Sequence, residues 1–70
     1  MSEEKLLTLI DYWIDHNREH EGEFRDWANR ADSLSARAAQ QLREAAASMA
    51  EASKSLERAK QALTKGTKEH

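Results

Sequence analysis

The chain is expected to be all-α: an antiparallel two-helix hairpin that pairs with a second copy into a four-helix bundle. Three features point there. The 70 residues hold no Pro, no Cys and only two Gly, and strong helix formers (Ala, Glu, Arg, Gln, Leu) dominate. Apolar residues recur at alternating spacings of four and three, the seam of a left-handed helix pair. One cluster of capping residues, Asp32, Ser33 and Ser35, interrupts that pattern near mid-chain. Residues 1–70 therefore read as a single domain.

The first helix is expected from about Glu3 to Ala31. Ser2 suits its N-cap, and Glu3 and Glu4 suit the positive end of the helix dipole. Its seam reads Leu6, Ile10, Trp13, Asn17, His20, Phe24, Trp27, Ala31. Leu9 and His16 border it on one side, Leu7 and Ile14 on the other. Gly22 lies inside the helix, away from the seam's centre, and costs about 1 kcal/mol relative to Ala. The break spans Ala31 to Ser35, with Ser33 the favoured N-cap of the second helix. That helix is expected from about Leu34 to Lys65. Gly66 fits the position that ends a helix, and residues 66–70 form a frayed tail. The second seam reads Ala38, Leu42, Ala45, Met49, Ala52, Leu56, Ala59, Leu63, with Ala46 and Ser53 beside it. Its small residues leave room for Trp13, Phe24 and Trp27 opposite.

A short connection makes the two helices antiparallel. Folding at the break pairs positions whose numbers sum to roughly 66. Trp27 then meets Ala38 and Ala39, Ile10 meets Leu56, and His16 and His20 face Ala45, Ala46 and Met49. Charge agrees. Residues 1–32 carry four Lys/Arg against nine Asp/Glu, a net −5, and residues 33–70 carry seven against four, a net +3. A lone hairpin leaves Leu7, Leu9, Tyr12, Ile14 and Leu34 only partly covered, hence the expected homodimer.

Several classes are excluded. A net charge of −2 argues against a general nucleic-acid binder. No apolar run is long enough to span a membrane. The N-terminus has no basic segment followed by an apolar one, so a cytoplasmic location is expected. The serines lack a base and an oxyanion loop, and no Gly-rich phosphate loop is present.

The stretch from Trp13 to Trp27 carries the chemistry. His16 and His20 stand four residues apart and share a helix face. With Trp13 at the seam's centre, His20 falls about 20° to one side, His16 about 60° and Glu23 about 80° the same way. Two imidazoles and a carboxylate in one strip are a ligand set for a first-row divalent ion. Asp15, Glu19, Glu21 and Asp26 surround the strip with negative charge, which draws cations. The motif is not that of a zinc protease, because Asn17 stands where the catalytic Glu belongs. Glu4 and Glu23 have no His three residues on, so a di-iron site is incomplete. Two readings stand side by side: a divalent-metal site at His16, His20 and Glu23, and a buried His/Asn layer that fixes register and oligomer state. Both place the imidazoles toward the companion helix. A paired-histidine acid and base is a third reading. Met49, Trp13, Phe24 and Trp27 read as core. Lys54, Arg58, Lys60, Lys65 and Lys68 read as a solvated face.

The run from Leu6 to Ala28 resembles a poorly characterised prokaryotic helical domain. That domain's core reads W-I-x-H-N-x-x-H-x-x-x-F-x-x-W-A, ahead of an Ala/Glu-rich second helix. The matching residues are Trp13, Ile14, His16, Asn17, His20, Phe24, Trp27 and Ala28. Such domains stand alone or follow a small nickel-binding module of the CooT type. The resemblance implies a link between His16 and His20 and nickel or another divalent metal such as zinc, and implies no enzyme. The expected function is thus a non-enzymatic, self-associating helical protein with a divalent-metal site, or else a pure protein-interaction module.

Overall fold

The computed structural model describes residues 2–65, and the expected helix stop at Gly66 and the tail beyond it lie outside them. Two helices, α1 (Glu3–Ala31) and α2 (Ala36–Lys65), pack along each other as a hairpin, with no strand among the described residues. The result is a plank of 52 × 21 × 14 Å. Its smallest dimension is about one helix diameter, so the hairpin is a single layer.

Local chemistry sets the helix ends. Ser2 caps α1 as expected: its Oγ accepts the Lys5 N–H at 3.1 Å. At the other end Asp32 keeps a helical backbone (φ −53°, ψ −38°) and its N–H reaches Ala28 O at 3.1 Å. The Leu34 and Ser35 N–H groups then both donate to Ala31 O, at 2.9 and 2.8 Å. The cap of α2 is Ser35 and not Ser33. Ser35 Oγ accepts the Ala38 N–H at 3.1 Å, whereas Ser33 Oγ donates to Arg30 O at 3.3 Å. Ser33 still lies in the turn that satisfies the last carbonyls of α1, so α2 starts later than expected, at Ala36.

The seam between the helices differs from the expected one by a consistent rotation. The buried and half-buried positions on α1 include the series Leu7, Ile10, Ile14, Asn17, Glu21, Phe24, Ala28 and Ala31, with Leu6, Leu9 and His20 half-buried at its edge. On α2 they include Ala39, Leu42, Ala46, Met49, Ser53, Leu56, Lys60 and Leu63. Both series alternate three and four. Half of each expected seam survives, and the other half moves on by one residue. Ile14 replaces Trp13, Ala28 replaces Trp27, Ala46 replaces Ala45 and Ser53 replaces Ala52. This turns each helix by roughly 50°. Size explains it. An indole between two helices in close contact forces them apart, whereas Ile10, Ile14 and Ala28 fit there against Ala39 and Ala46. Ala28, Ala39 and Ala46 are fully excluded from solvent, while Trp13 is 39% and Trp27 57% exposed.

The rotation also brings charges together along one flank. Lys60 meets Asp11 at 2.7 Å, Arg18 meets Glu57 at 3.1 Å and Arg43 meets Asp32 at 2.7 Å, all across the seam. Lys60, expected on a solvated face, instead runs its alkyl stem over the seam and its ammonium to α1. Its hydrogen bond to Asp11, with the attraction of Asp11, Glu57 and Asp15, holds the ammonium pKa above the ordinary lysine value. Asp32 raises that of Arg43 in the same way.

Candidate functional site

The opposite flank carries the histidines. On α1, Tyr12, His16, His20 and Phe24 succeed one another at four-residue spacing, so their rings stack in a single file. Ring centroids lie 5.5 Å apart from Tyr12 to His16, 4.5 Å from His16 to His20 and 5.7 Å from His20 to Phe24. Helical spacing sets Leu9, Trp13 and Trp27 on the same flank. The Arg30 guanidinium covers the Trp27 ring at 4.6 Å, a cation–π contact. On α2 the corresponding flank is Ala38, Ala45, Ala52 and Ala59.

The imidazoles are therefore not directed at the companion helix. His16 is exposed and His20 half-buried. The cause is the same rotation: placing Ile14 and Ala28 inside carries His20 from the seam to its edge and His16 beyond it. Of the expected polar layer, only Asn17 keeps a seam position.

The histidine pair is nevertheless ordered by its neighbours. Glu23 Oε1 lies 3.2 Å from His20 Nδ1, and His20 Nε2 lies 3.0 Å from His16 Nε2. A carboxylate can only accept, so His20 Nδ1 carries the proton and donates to Glu23. In the neutral ring His20 Nε2 is then a bare lone pair, and His16 Nε2–H donates to it. One proton thus sits between two nitrogens that face each other.

His16, His20 and Glu23 are brought together as the sequence suggests, but not around one point. Glu23 meets the Nδ1 edge of His20, and the shared Nε2 position lies on the opposite edge of that ring. Among the described residues no group of three or more His, Cys, Asp or Glu side chains is arranged to hold a metal ion. Two nitrogens 3.0 Å apart do suit one ion. At metal–nitrogen bonds of about 2.0–2.1 Å they subtend roughly a right angle, that of adjacent ligands in a square-planar or octahedral site.

Beside His16 lies an open depression of about 540 Å³, lined by Tyr12, Asp15, His16, Arg18 and Glu19. All its walls come from α1, so it is a shallow surface groove. Tyr12 and the full ring file escape any reading that assigns aromatic residues to the core by type. The signal that finds them is the regular spacing of residues 12, 16, 20 and 24.

Residues 6–63 match the family described as a domain of unknown function (DUF8180), and the chain belongs to that family. It is also similar to an uncharacterized protein of Archaeoglobus fulgidus, with 37% identity over 43 residues, 61% of this chain and 69% of that protein. No solved structure matches the chain. The matched span takes in most of both helices, the turn and the entire ring file.

No helix among the described residues is long and apolar enough to cross a membrane.

Proposed function

We propose that the chain is a non-enzymatic helical module that binds a divalent transition-metal ion through His16 and His20 and self-associates through the flank that carries them. The observation that supports it best is the pair of Nε2 atoms facing each other at 3.0 Å, with Glu23 on the far nitrogen of His20. An ion held by both Nε2 atoms would displace the shared proton to His16 Nδ1, so that both rings stay neutral and each offers a lone pair. Glu23 acts as a positioning residue that fixes the His20 tautomer and ring orientation, rather than as a ligand. Imidazole suits nickel, zinc and copper(II), and the resemblance to domains found beside CooT-type modules favours nickel. The acidic residues around the pair, Asp15, Glu19 and Glu23, favour a cation. A groove walled by one helix does not enclose a substrate, which supports the non-enzymatic reading. A cytoplasmic location goes with it.

Calorimetric titration of the full chain with Ni(II) and Zn(II) tests the reading. Binding tighter than millimolar is expected, lost in His16→Ala and in His20→Ala. Glu23→Gln weakens it by about tenfold or more, the usual effect of losing an outer-shell partner. Millimolar affinity, or equal affinity in both alanine variants, ends the metal reading.

A second reading is a pure protein-interaction module. The exposure of Trp13, Tyr12 and Trp27 on one flank favours it, because clustered large aromatics are typical interface anchors. It predicts a melting temperature that rises with protein concentration and ignores metal.

A further inference from the structure

We infer that the metal site is completed by a second copy of the chain, stacked α1 against α1 across a two-fold axis level with residue 18, so that four imidazoles surround one ion. This rests on the metal reading and gives it a stoichiometry and a geometry.

The first argument is the incompleteness of the site. One chain offers two nitrogens and, among the described residues, no third ligand. Closed metal sites take four protein ligands, and a two-ligand site is weak.

The second argument is a symmetry in α1. An antiparallel pair about a two-fold axis sets residue i opposite residue 36 − i of the second copy when the axis is level with residue 18. On the exposed flank three of these pairs match in kind, whereas Trp13 meets Glu23 and Leu6 meets Arg30 of the second copy. His16 meets His20 of the second copy, Tyr12 meets Phe24, and Leu9 meets Trp27. At 100° per residue every such pair is placed symmetrically about one line of the helix, the line through Leu9 and Trp27. Arg18 itself points away from that line and is tied to Glu57 at 3.1 Å. The histidines thus fall on the axis, and the aromatic residues fall on either side of it.

Area and charge both call for the ion. The α1–α1 contact uses only about half of the 52 × 21 Å broad face, less than the roughly 800 Å² per partner of a standard interface, so the shared ligands must carry part of the association. Glu19 and Glu23 border the ring file, so two α1 helices brought together repel each other until a cation lies between them. The dimer is therefore metal-dependent. The competing arrangement sets acidic α1 over basic α2 of the second copy. It places each histidine pair against alanines and supplies no ligand.

Sedimentation, metal analysis and distance measurement on the full chain decide the matter. The expected result is one Ni(II) or Zn(II) ion per two chains, with the mass doubling from 8.0 kDa on adding metal and returning in EDTA. His16→Ala keeps its helical circular dichroism in EDTA but stays monomeric with metal. Spin labels on Lys5→Cys come to lie about 40 Å apart, since α1 is antiparallel to its copy and rises about 1.5 Å per residue. One ion per chain at a mass of 8.0 kDa overturns the inference and leaves the metal reading standing. So does a label separation under about 20 Å, which the α1-over-α2 arrangement gives when its two-fold axis runs along the helices, at interaxial distances of about 10 Å. A dimer that forms equally well in EDTA overturns it too. Absence of any metal binding removes both the inference and the reading beneath it.

Discussion

The two flanks of the seam are built from opposite chemistries. Along one flank Lys60, Arg18 and Arg43 each reach a carboxylate on the other helix. Along the other, Tyr12, His16, His20 and Phe24 stack only with members of their own helix. The first flank spends its side chains on closing the hairpin. The second leaves its rings and indoles half in water, facing a row of alanines that cannot cover them. The seam between the two is thin: among the described residues no large side chain is fully buried. Cross-helix ion pairs and stacked rings thus occupy different sides of the same two helices.

The sharpest way to break this division is to compare Ile14→Ala with Trp13→Ala by denaturant unfolding in dilute chain and EDTA. Ile14 is buried at the seam, so its loss costs about 2–4 kcal/mol. Trp13, though larger, costs under about 1 kcal/mol because it stands at the surface. Equal costs would mean that the aromatic flank is core after all. Next comes Ser53, whose buried Oγ has no hydrogen-bond partner. Ser53→Ala is expected to stabilise the hairpin by about 1 kcal/mol, read as a higher denaturant midpoint at unchanged slope. Gly22 faces open space, with nothing within 4 Å of an added Cβ. Gly22→Ala therefore adds about 0.5–1 kcal/mol of stability without altering metal affinity. The smallest effect belongs to the charged flank. Asp11→Asn removes the partner that raises the Lys60 pKa. That raised value makes the pair's contribution complete below the ordinary lysine pKa and lost as pH climbs through the folded-state value. The variant is slightly less stable than the parent at neutral pH, and the gap closes at about 1 M salt, where screening is strong.

Much of this fold was legible in the sequence. The absence of Pro, the cap at Ser2 and the opposite net charges of the two halves point to two antiparallel helices. The facing of the helices was not legible. Ile10, Asn17, Phe24 and Ala31 belong to both candidate seams of α1, so periodicity alone cannot separate Trp13 and Trp27 from Ile14 and Ala28. Apolar character favours the tryptophans, but the space between two touching helices favours Ile and Ala. On α2 the same tie set four alanines against Ala39, Ala46, Ser53 and Lys60. There Ala39 and Ala46 let the helices touch, and Lys60 takes its seam position with its alkyl stem along the helices and its ammonium on Asp11. The candidate site inherited the error. Its residues were identified by spacing and do cluster, yet their direction depended on which seam won. Glu23 shows the remaining gap. Its place beside His20 comes from three-residue spacing, but which ring nitrogen it meets depends on a rotamer that spacing does not fix.

The turn has a kinetic consequence. From Asp32 to Ser35 the chain leaves helical form for only a few residues, and no described residue adopts a positive φ. Ala28 and Ala39 can therefore meet at almost no loop-closure penalty, and each later pair along the seam is brought into reach by the one before it. Assembly is expected to run outward from the bend as a zipper, on the microsecond-to-millisecond scale of low-contact-order helical proteins, which temperature-jump relaxation would check. The ring file, midway along α1, then takes shape before either free end is secured.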